Sequence, residues 1–409
     1  MSSSLALTGL VGCGSQPENL LPYVHQPEEI VPGKPLYYAT TLPFAGFAQG
    51  VLAECHMGRP TKIEGNPLHP ASTQRVEEFE APQRWGASSV HSQSAVLDLY
   101  DPDRSKSIQH RGRVGTWEPF LDWVQTKIDA YDGNGGKGFR ILTRTFTSPS
   151  LTSKFQELLN RYPQAKWILY DPIGDDSIRQ GAQLAFGERV DTIHHFDRAE
   201  VVVALDSDFL TTGPASVHDA HAFMTRRREG VESGAMNRLY SIETSSTPTG
   251  VVADHRLPLN PSQFETFVWA LAQRVGVNIE PVDESGLDQE FLDRLVNDLK
   301  DHRGSSLFIA GSWTSARTHA LVHAMNQVLG NVGKTVVYTE PVVPFEEDPS
   351  PSLAELVQEM NDGEVETLLV FDGNPNYDTP ADLKFAEAYE KVPERIHYGL
   401  YHNETALRS

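Results

Sequence analysis

VVVALDSDFLTTGP, residues 201–214, runs from an unbroken apolar segment into an aspartate, a polar loop, threonine and proline. An apolar run without alternation reads as a strand covered on both faces, the kind found in parallel sheets. TLLVFDGNPNYDTP, residues 367–380, repeats the order. Each stretch sets its polar loop beyond the carboxyl end of a strand, where open α/β sheets bind ligands. Together they suggest two related α/β units.

The same alternation extends outward from both. FRILTRT (139–145) and KWILYD (166–171) read as strands; LTSKFQELLNRYP (151–163) and DSIRQGAQLAFG (176–187) read as helices between and after them. RLYSIET (238–244), SLFIAGS (306–312), TVVYTE (335–340) and RIHYGLY (395–401) continue the strands. Strands and helices at short intervals mean a parallel sheet with helices on its faces. Earlier, WEPFLDWVQTKIDAY (117–131) puts Phe120, Leu121, Val124 and Ile128 on one helical face. LYYATTL, FAQGVLAE and RPTKIEG, between 36 and 65, are brief alternating runs that predict a small β-rich unit. The polar stretch at 281–304 marks a boundary. The expected division is an arm at 1–35, a β-rich domain at 36–115, a first α/β domain at 116–302 and a second at 303–409.

A chain of 409 residues exceeds one ordinary core. With 39% apolar and 22% charged residues it is globular in composition. A net charge of −21 repels phosphate backbones, so a nucleic-acid partner is not expected. The two cysteines, Cys13 and Cys55, are too few for a four-cysteine zinc or iron–sulfur site. No apolar run is long enough to span a membrane. Leu10-Val11-Gly12-Cys13 matches a bacterial lipobox, which makes Cys13 a lipid-anchor candidate, although the basic segment of an export signal is missing before it.

Other candidates carry less. His319 and His323 share a helix face but lack the glutamate of an HExxH pattern, so a packing role is expected. Adjacent His194 and His195 diverge in direction. Arg226-Arg227-Arg228 has the chemistry to grip a diphosphate, but a solvated face or ion pairs fit the acidic surroundings better. DGNGGKG (132–138) lacks the Gly-Lys-Ser/Thr ending of a phosphate loop and precedes a strand. No Gly-x-Ser-x-Gly elbow occurs.

GRPTKIEGNPLHPAS, residues 58–72, is a tight loop rich in proline, glycine and asparagine. With GVLAECHM before it, it resembles the N-terminal region of molybdopterin oxidoreductases of the formate dehydrogenase and DMSO reductase type. There the loop follows three cysteines and precedes a fourth. LYDPDRSKSIQHRG, AEVVVALDSDFLTTGP, LYSIETSSTPTGVVADHRLPLNP and LLVFDGNPNYDTP resemble further segments of that family, in the same order, and the last is similar to its second nucleotide loop. VHQPEEIVPGKPLYYATTLPFAGFAQGVLAE, THALVHAMNQVLGNVGKTVVYTEP, LAELVQEMNDGEVETLLV and IHYGLYHNETA narrow the likeness to one component of alternative complex III, a bacterial quinol-oxidising respiratory complex. They resemble the molybdopterin-oxidoreductase-like half of the component whose other half is ferredoxin-like. The resemblance covers nearly the whole chain.

The resemblance implies a small β-rich unit and two Rossmann-like units. Relatives carry molybdopterin guanine dinucleotide and iron–sulfur clusters. Here the positions for cluster cysteines, 39–50 and 86–91, hold none. The first nucleotide loop reads Asp206-Ser207-Asp208-Phe209, two carboxylates and a bulky ring where small residues let a diphosphate approach. The second keeps Gly373-Asn374-Pro375, behind an added Asp372. The expectation is a non-catalytic structural subunit, cofactor-free in this segment, with no catalytic, cofactor-binding or metal-ligating residue. The resemblance further implies export to the periplasmic face of the inner membrane. It implies partners too: c-type cytochrome and integral membrane quinol-binding subunits, and an iron–sulfur half of the same polypeptide past the present end, so the sequence reads as a fragment. The alternative is an active oxidoreductase that lost the N-terminal cluster and keeps a bis-pterin molybdenum cofactor, supported by Gly373-Asn374-Pro375 and the arginine run.

Overall fold

The computed structural model describes residues 28–69, 86–343 and 352–409. Cys13 lies outside the described residues. Strands Leu36–Phe44 (β1), Phe47–His56 (β2) and Arg59–Gly65 (β3) form an antiparallel meander. Its turns are Ala45-Gly46 and Met57-Gly58, and all four residues have positive φ. That geometry follows the right-handed twist of a two-residue hairpin. Val51, Ala53 and Cys55 alternate onto one face and bury against Ile63, Leu42 and Val96. So small a cluster needs outside support. Gly46 carbonyl accepts from Thr147 backbone N–H and Oγ1, both at 3.0 Å. Gln49 Nε2 reaches Pro214 carbonyl at 3.4 Å. The meander therefore rests on both α/β units.

The short hairpin Ile108–His110 (β4) and Arg113–Gly115 (β5) leads into helix Trp117–Asn134. Strands Phe139–Thr143 (β6) and Lys166–Leu169 (β7) begin the first sheet. The chain then leaves it through Asp191–His194 (β8). It builds a second sheet from Val201–Leu205 (β9), Arg238–Glu243 (β10), His255–Pro258 (β11) and Ser306–Ala310 (β12). It returns through Val336–Thr339 (β13) to complete the first with Thr367–Phe371 (β14) and Glu394–Tyr398 (β15). The sheets are parallel, in the orders β15-β14-β6-β7 and β11-β10-β9-β12, while β8 and β13 pair antiparallel.

One unit is thus nested inside the other. The boundary expected at 302–303 cuts across this: β12, beyond it, hydrogen-bonds to β9, and β14 hydrogen-bonds to β6. The order of strands along a chain leaves open which strands become neighbours, because a crossover can land on either side of a strand already placed.

All five residues of β9 are fully buried, as helices on both faces require. One face packs on helices Pro261–Val275 and Gln289–Asp301 through Phe267, Leu271, Leu292, Leu295 and Leu299; the other packs on Phe196, Phe209 and Phe223. In the outer unit, helix Leu353–Asn361 opens with a capping box between Ser352 and Glu355 and buries Leu356, Val357 and Met360. Among the described residues no helix is long and apolar enough to cross a membrane.

Candidate functional site

Both central strands end in an aspartate with left-handed backbone, Asp206 at φ 51° after β9 and Asp372 at φ 63° after β14. In each case the aspartate N–H donates to the carbonyl near the end of the adjacent strand: Asp206 to Ile242 and Asp372 to Tyr398, both at 2.7 Å. Aspartate tolerates this conformation better than most residues. The two loops recognised in the sequence therefore share a backbone.

The first loop is closed by its own side chains. Asp206 carboxylate accepts from Thr244 N–H at 2.9 Å, Thr244 Oγ1 at 2.8 Å and Trp313 Nε1 at 3.1 Å, and so ties together the exits of β9, β10 and β12. A Cβ at Gly311 would lie 2.0 Å from Asp206 carbonyl oxygen, so only glycine fits there. Asp208 accepts from Thr249 N–H at 3.0 Å and Oγ1 at 2.6 Å, and from Thr211 Oγ1. Glu243 accepts from Thr247 Oγ1 at 2.7 Å and pairs with Arg256. All three carboxylates are buried. The ring of Phe209 does not face the loop. It stacks on Phe196, centroids 4.4 Å apart, in the core beneath the sheet.

The second loop is held from outside. Gly373 has φ 81°, and a Cβ there would stand 2.9 Å from Arg144 Nε. Arg144, at the exit of β6, pairs with Asp378 at 2.5 Å, and Tyr170 OH, beyond β7, donates to Asp378 carbonyl at 2.7 Å. Gly373 carbonyl accepts from Asn403 Nδ2 at 3.0 Å and meets His397 Nε2 at 3.0 Å. Burial pushes the pKa of His397 down, against the pull of that carbonyl and of Asp372. Asn374 Oδ1 accepts from Thr405 N–H at 3.1 Å and Oγ1 at 2.9 Å, and its Nδ2 donates to Glu404 at 2.6 Å. The cavity beneath, lined by Thr143, Arg144, Tyr170, Gly373 and Asp378, measures about 10 Å³, room for one water.

The hairpin β1–β2 runs through 39–50, where cluster cysteines were sought, in unbroken register from Leu36↔Cys55 to Phe44↔Phe47. A tight two-residue turn replaces any cluster loop. Cys55 is a buried free thiol whose Sγ lies 3.8 Å from Ala53 carbonyl, and burial pushes its pKa up. His69 packs its ring on Gly50, and Asn66 side chain caps Leu68 N–H at 3.0 Å, so the loop from 58 fixes the meander. Arg226 lies 3.8 Å from Glu200 and Arg227 pairs with Asp254, so neither points at a strand exit. His319 and His323 are buried; each has a hydroxyl partner, Thr314 Oγ1 at 3.1 Å and Tyr338 OH at 3.0 Å. His194 and His195 are held apart on β8 and the turn after it. Among the described residues no group of three or more His, Cys, Asp or Glu has the arrangement to hold a metal. Sequence reasoning missed Arg144, Tyr170, Asp378, Thr244, Trp313 and Thr405. Arg144, Tyr170, Thr244 and Trp313 follow strand ends, so treating every strand exit as a site edge would have found them; Asp378 lay unremarked in the quoted stretch 367–380.

No protein-family model matches the chain. It is 23% identical, over 399 residues, to the menaquinone reductase molybdopterin-binding-like subunit of Nitratidesulfovibrio vulgaris (strain Hildenborough), a match covering 88% of this chain and 55% of that relative. The chain thus spans about half the length of the curated relative. Among solved structures, acetylene hydratase from Pelobacter acetylenicus superposes with a TM-score of 0.61 at 11% identity, over 90% of this chain and 62% of that one. The fold is molybdopterin oxidoreductase-like. The expectation of a cofactor-free segment does not stand: the relative that matches 88% of the chain is named a molybdopterin-binding-like subunit, and the chain itself has a molybdopterin oxidoreductase-like fold.

The two loops fit a pterin nucleotide unequally. At the first, three buried carboxylates oppose an anion and their hydrogen bonds are used internally, so the residues do not fit. At the second, glycine leaves the main chain open to a guanidinium. Asp378 Oδ1 and the side-chain amide of Asn376 are buried with no hydrogen-bond partner, polar atoms of the kind a bound group satisfies.

Proposed function

We propose that this chain is the molybdopterin-oxidoreductase-like part of a subunit in a membrane-bound, quinone-linked respiratory oxidoreductase of the alternative complex III type, and that its role is architectural. The observation that carries the reading is the likeness to the menaquinone reductase subunit across 88% of the chain. The closed first loop supports the architectural part: Asp206, Asp208 and Glu243 commit the strand exits to holding the sheet together. On this reading the two units and the meander form a platform that positions the electron-carrying parts, an iron–sulfur half, c-type cytochrome and membrane quinol-binding subunits. The platform faces the periplasm at the inner membrane, with Cys13 as a lipid anchor.

A second reading is supported by Arg144, Gly373 and the unpartnered Asp378 Oδ1: a pterin nucleotide held at the second loop of a working oxidoreductase. Arg144 would face its phosphates, and the bound group would supply two-electron chemistry. Arg144→Gln in the assembled complex separates the readings. The architectural role expects quinol-oxidation turnover per assembled complex to stay within about twofold of wild type. The catalytic role expects loss of turnover, together with loss of molybdenum and of acid-released pterin.

A further inference from the structure

The chain enters the nested unit through β8 and leaves it through β13, which pair from Val336↔His194 to Thr339↔Asp191. Asp191 carboxylate also accepts from Val342 N–H at 2.9 Å. Beside this neck, helix Asp176–Phe186 of the outer unit lies on helix Ala316–Val328 of the nested one. They approach so closely that a Cβ at Gly181 would stand 2.3 Å from His319 Cβ. The seam is lined by imidazoles. His319 and His323 are 5% and 6% exposed; His194 is half-buried by area yet deep among protein atoms. Phe186 closes the seam from the outer unit, its ring 5.0 Å from that of His323 and 4.8 Å from that of Tyr338.

We propose that this seam is a proton-sensitive joint: uptake of protons by His194, His319 and His323 loosens the nested unit from the outer one. The reason is first geometric. A cationic imidazole donates from both nitrogens. His323 Nδ1 has Tyr338 OH, but its Nε2 is buried without a partner, so the cation leaves a buried donor unmet. His319 Nε2 donates to Thr314 Oγ1, a hydroxyl that itself donates to Gly311 carbonyl; there burial is what opposes the cation, against an upward pull from the Gly311 backbone.

Among the described residues no carboxylate compensates. The ionisable groups acting on the rings are His323, on His194 and His319, and His195 from the end of β8, on His194. His195 in turn feels Arg198, Asp197 and His218. Helix Asp176–Phe186 brings Arg179, paired with Asp176 at 2.9 Å, and Asp175 at its N-cap, whose carboxyl burial pushes up. Arg317 on the facing helix is exposed. Burial pushes all three imidazoles down to about 4. A histidine depressed in the folded state withholds stability as pH falls from its unfolded value near 6.5, and the loss is complete below the folded value. Opening that frees one ring therefore becomes roughly 20-fold more frequent between pH 7 and pH 5.

Hydrogen–deuterium exchange of the full chain at pH 7 and pH 5, corrected for intrinsic rates, tests this. The expected result is protection falling roughly 20-fold or more in 181–186, 191–194, 319–328 and 336–339, while 201–205 and 239–242 keep theirs. His323→Phe, which keeps a ring beside Phe186 and Tyr338, is expected to remove a large part of the pH response. Should that variant not fold, His319→Gln makes the same test at the Thr314 contact. Equal seam protection at both pH values overturns the proposal, as does an undiminished response in the variants. Histidine C2-proton titrations give an independent reading: three rings titrating near 6.5 in the folded chain would also overturn it.

Discussion

The exits of β9 and β14 have the same backbone and are secured in different ways. After β9, Asp206 turns its carboxylate inward and binds three strand exits at once. After β14, Asp372 contributes its backbone, while the loop is gripped by Arg144 on one side and by 403–405 on the other. A left-handed aspartate at a strand exit is thus a shared frame. What the frame does depends on whether neighbouring loops supply donors to the carboxylate. Thr244 and Trp313 supply them at the first exit. Beyond β14 the nearest donors go instead to Gly373 carbonyl and Asn374 Oδ1.

The comparison breaks most sharply at the aspartates themselves. Asp206→Ala strands the Thr244 N–H and hydroxyl, frees the half-exposed Trp313 indole and leaves alanine at a left-handed position. A loss of about 3 kcal/mol of unfolding free energy is expected. Asp372→Ala removes an exposed carboxylate and leaves alanine at a left-handed position, for an expected cost of about 1 kcal/mol. Urea unfolding followed by tryptophan fluorescence measures both. Equal effects would mean that the frame, and not the carboxylate, holds the first exit.

The amino ends of the sheets sharpen the same contrast. Arg140 in β6 is buried and pairs with Glu359 at 2.6 Å, with Lys166 on the same carboxylate. Arg238 in β10 pairs with Asp298 at 2.6 Å, but about a third of its side chain, 35%, is in solvent. Arg140→Met is expected to cost about 2–3 kcal/mol, since the packing of a buried guanidinium is lost with the pair, and Arg238→Met about 1–2 kcal/mol; in both the carboxylate left behind is mostly buried and keeps a second donor, Lys166 for Glu359 and the Tyr240 hydroxyl for Asp298. Burial, the largest single cause, raises the pKa of Glu359 and Asp298, but the hydrogen bonds from Arg140 and Lys166 on the one and from Arg238 and Tyr240 on the other, with the charges beside them, together outweigh it and both end below the usual range. Their contribution is therefore present above the unfolded carboxylate values and lost as pH falls through the depressed folded values. The histidine seam loses stability earlier, from pH 6.5 down to about 4. A pH series of unfolding midpoints is expected to fall in two stages. Arg140→Met should flatten the lower stage and leave the upper one unchanged.

The sequence made the parallel α/β class and the kinship of the two loops legible, because five consecutive buried residues in β9 leave an unbroken apolar run. It did not reveal the nesting, which depends on β12 joining β9 and β14 joining β6 across long crossovers. Phe209 was misread for a related reason. As part of a polar loop it looked like an obstacle to a ligand, but the turn after Asp206 rotates its ring onto Phe196. The role of 403–405 was equally hidden, since a short polar segment gives no sign of which distant carbonyl it will meet.

That segment gives the last test of the contrast. Thr405 is fully buried; its Oγ1 donates to Asn374 Oδ1 at 2.9 Å and accepts from Asn376 N–H at 3.1 Å. Thr405→Val keeps the shape, loses the donated bond and leaves the Asn376 N–H unpaired, for an expected cost of about 1–2 kcal/mol. Thr405→Ser keeps the hydroxyl and is expected to cost under about 1 kcal/mol for the lost methyl. Both are read from the same unfolding curves as Asp206→Ala. If Thr405→Val matches Asp206→Ala, the second exit is locked as firmly as the first, and a guest group there would have to displace protein contacts. If it stays near 1 kcal/mol, the Thr405 hydroxyl is one replaceable contact among several on the second loop, and that strand exit yields more readily than the one tied by Asp206.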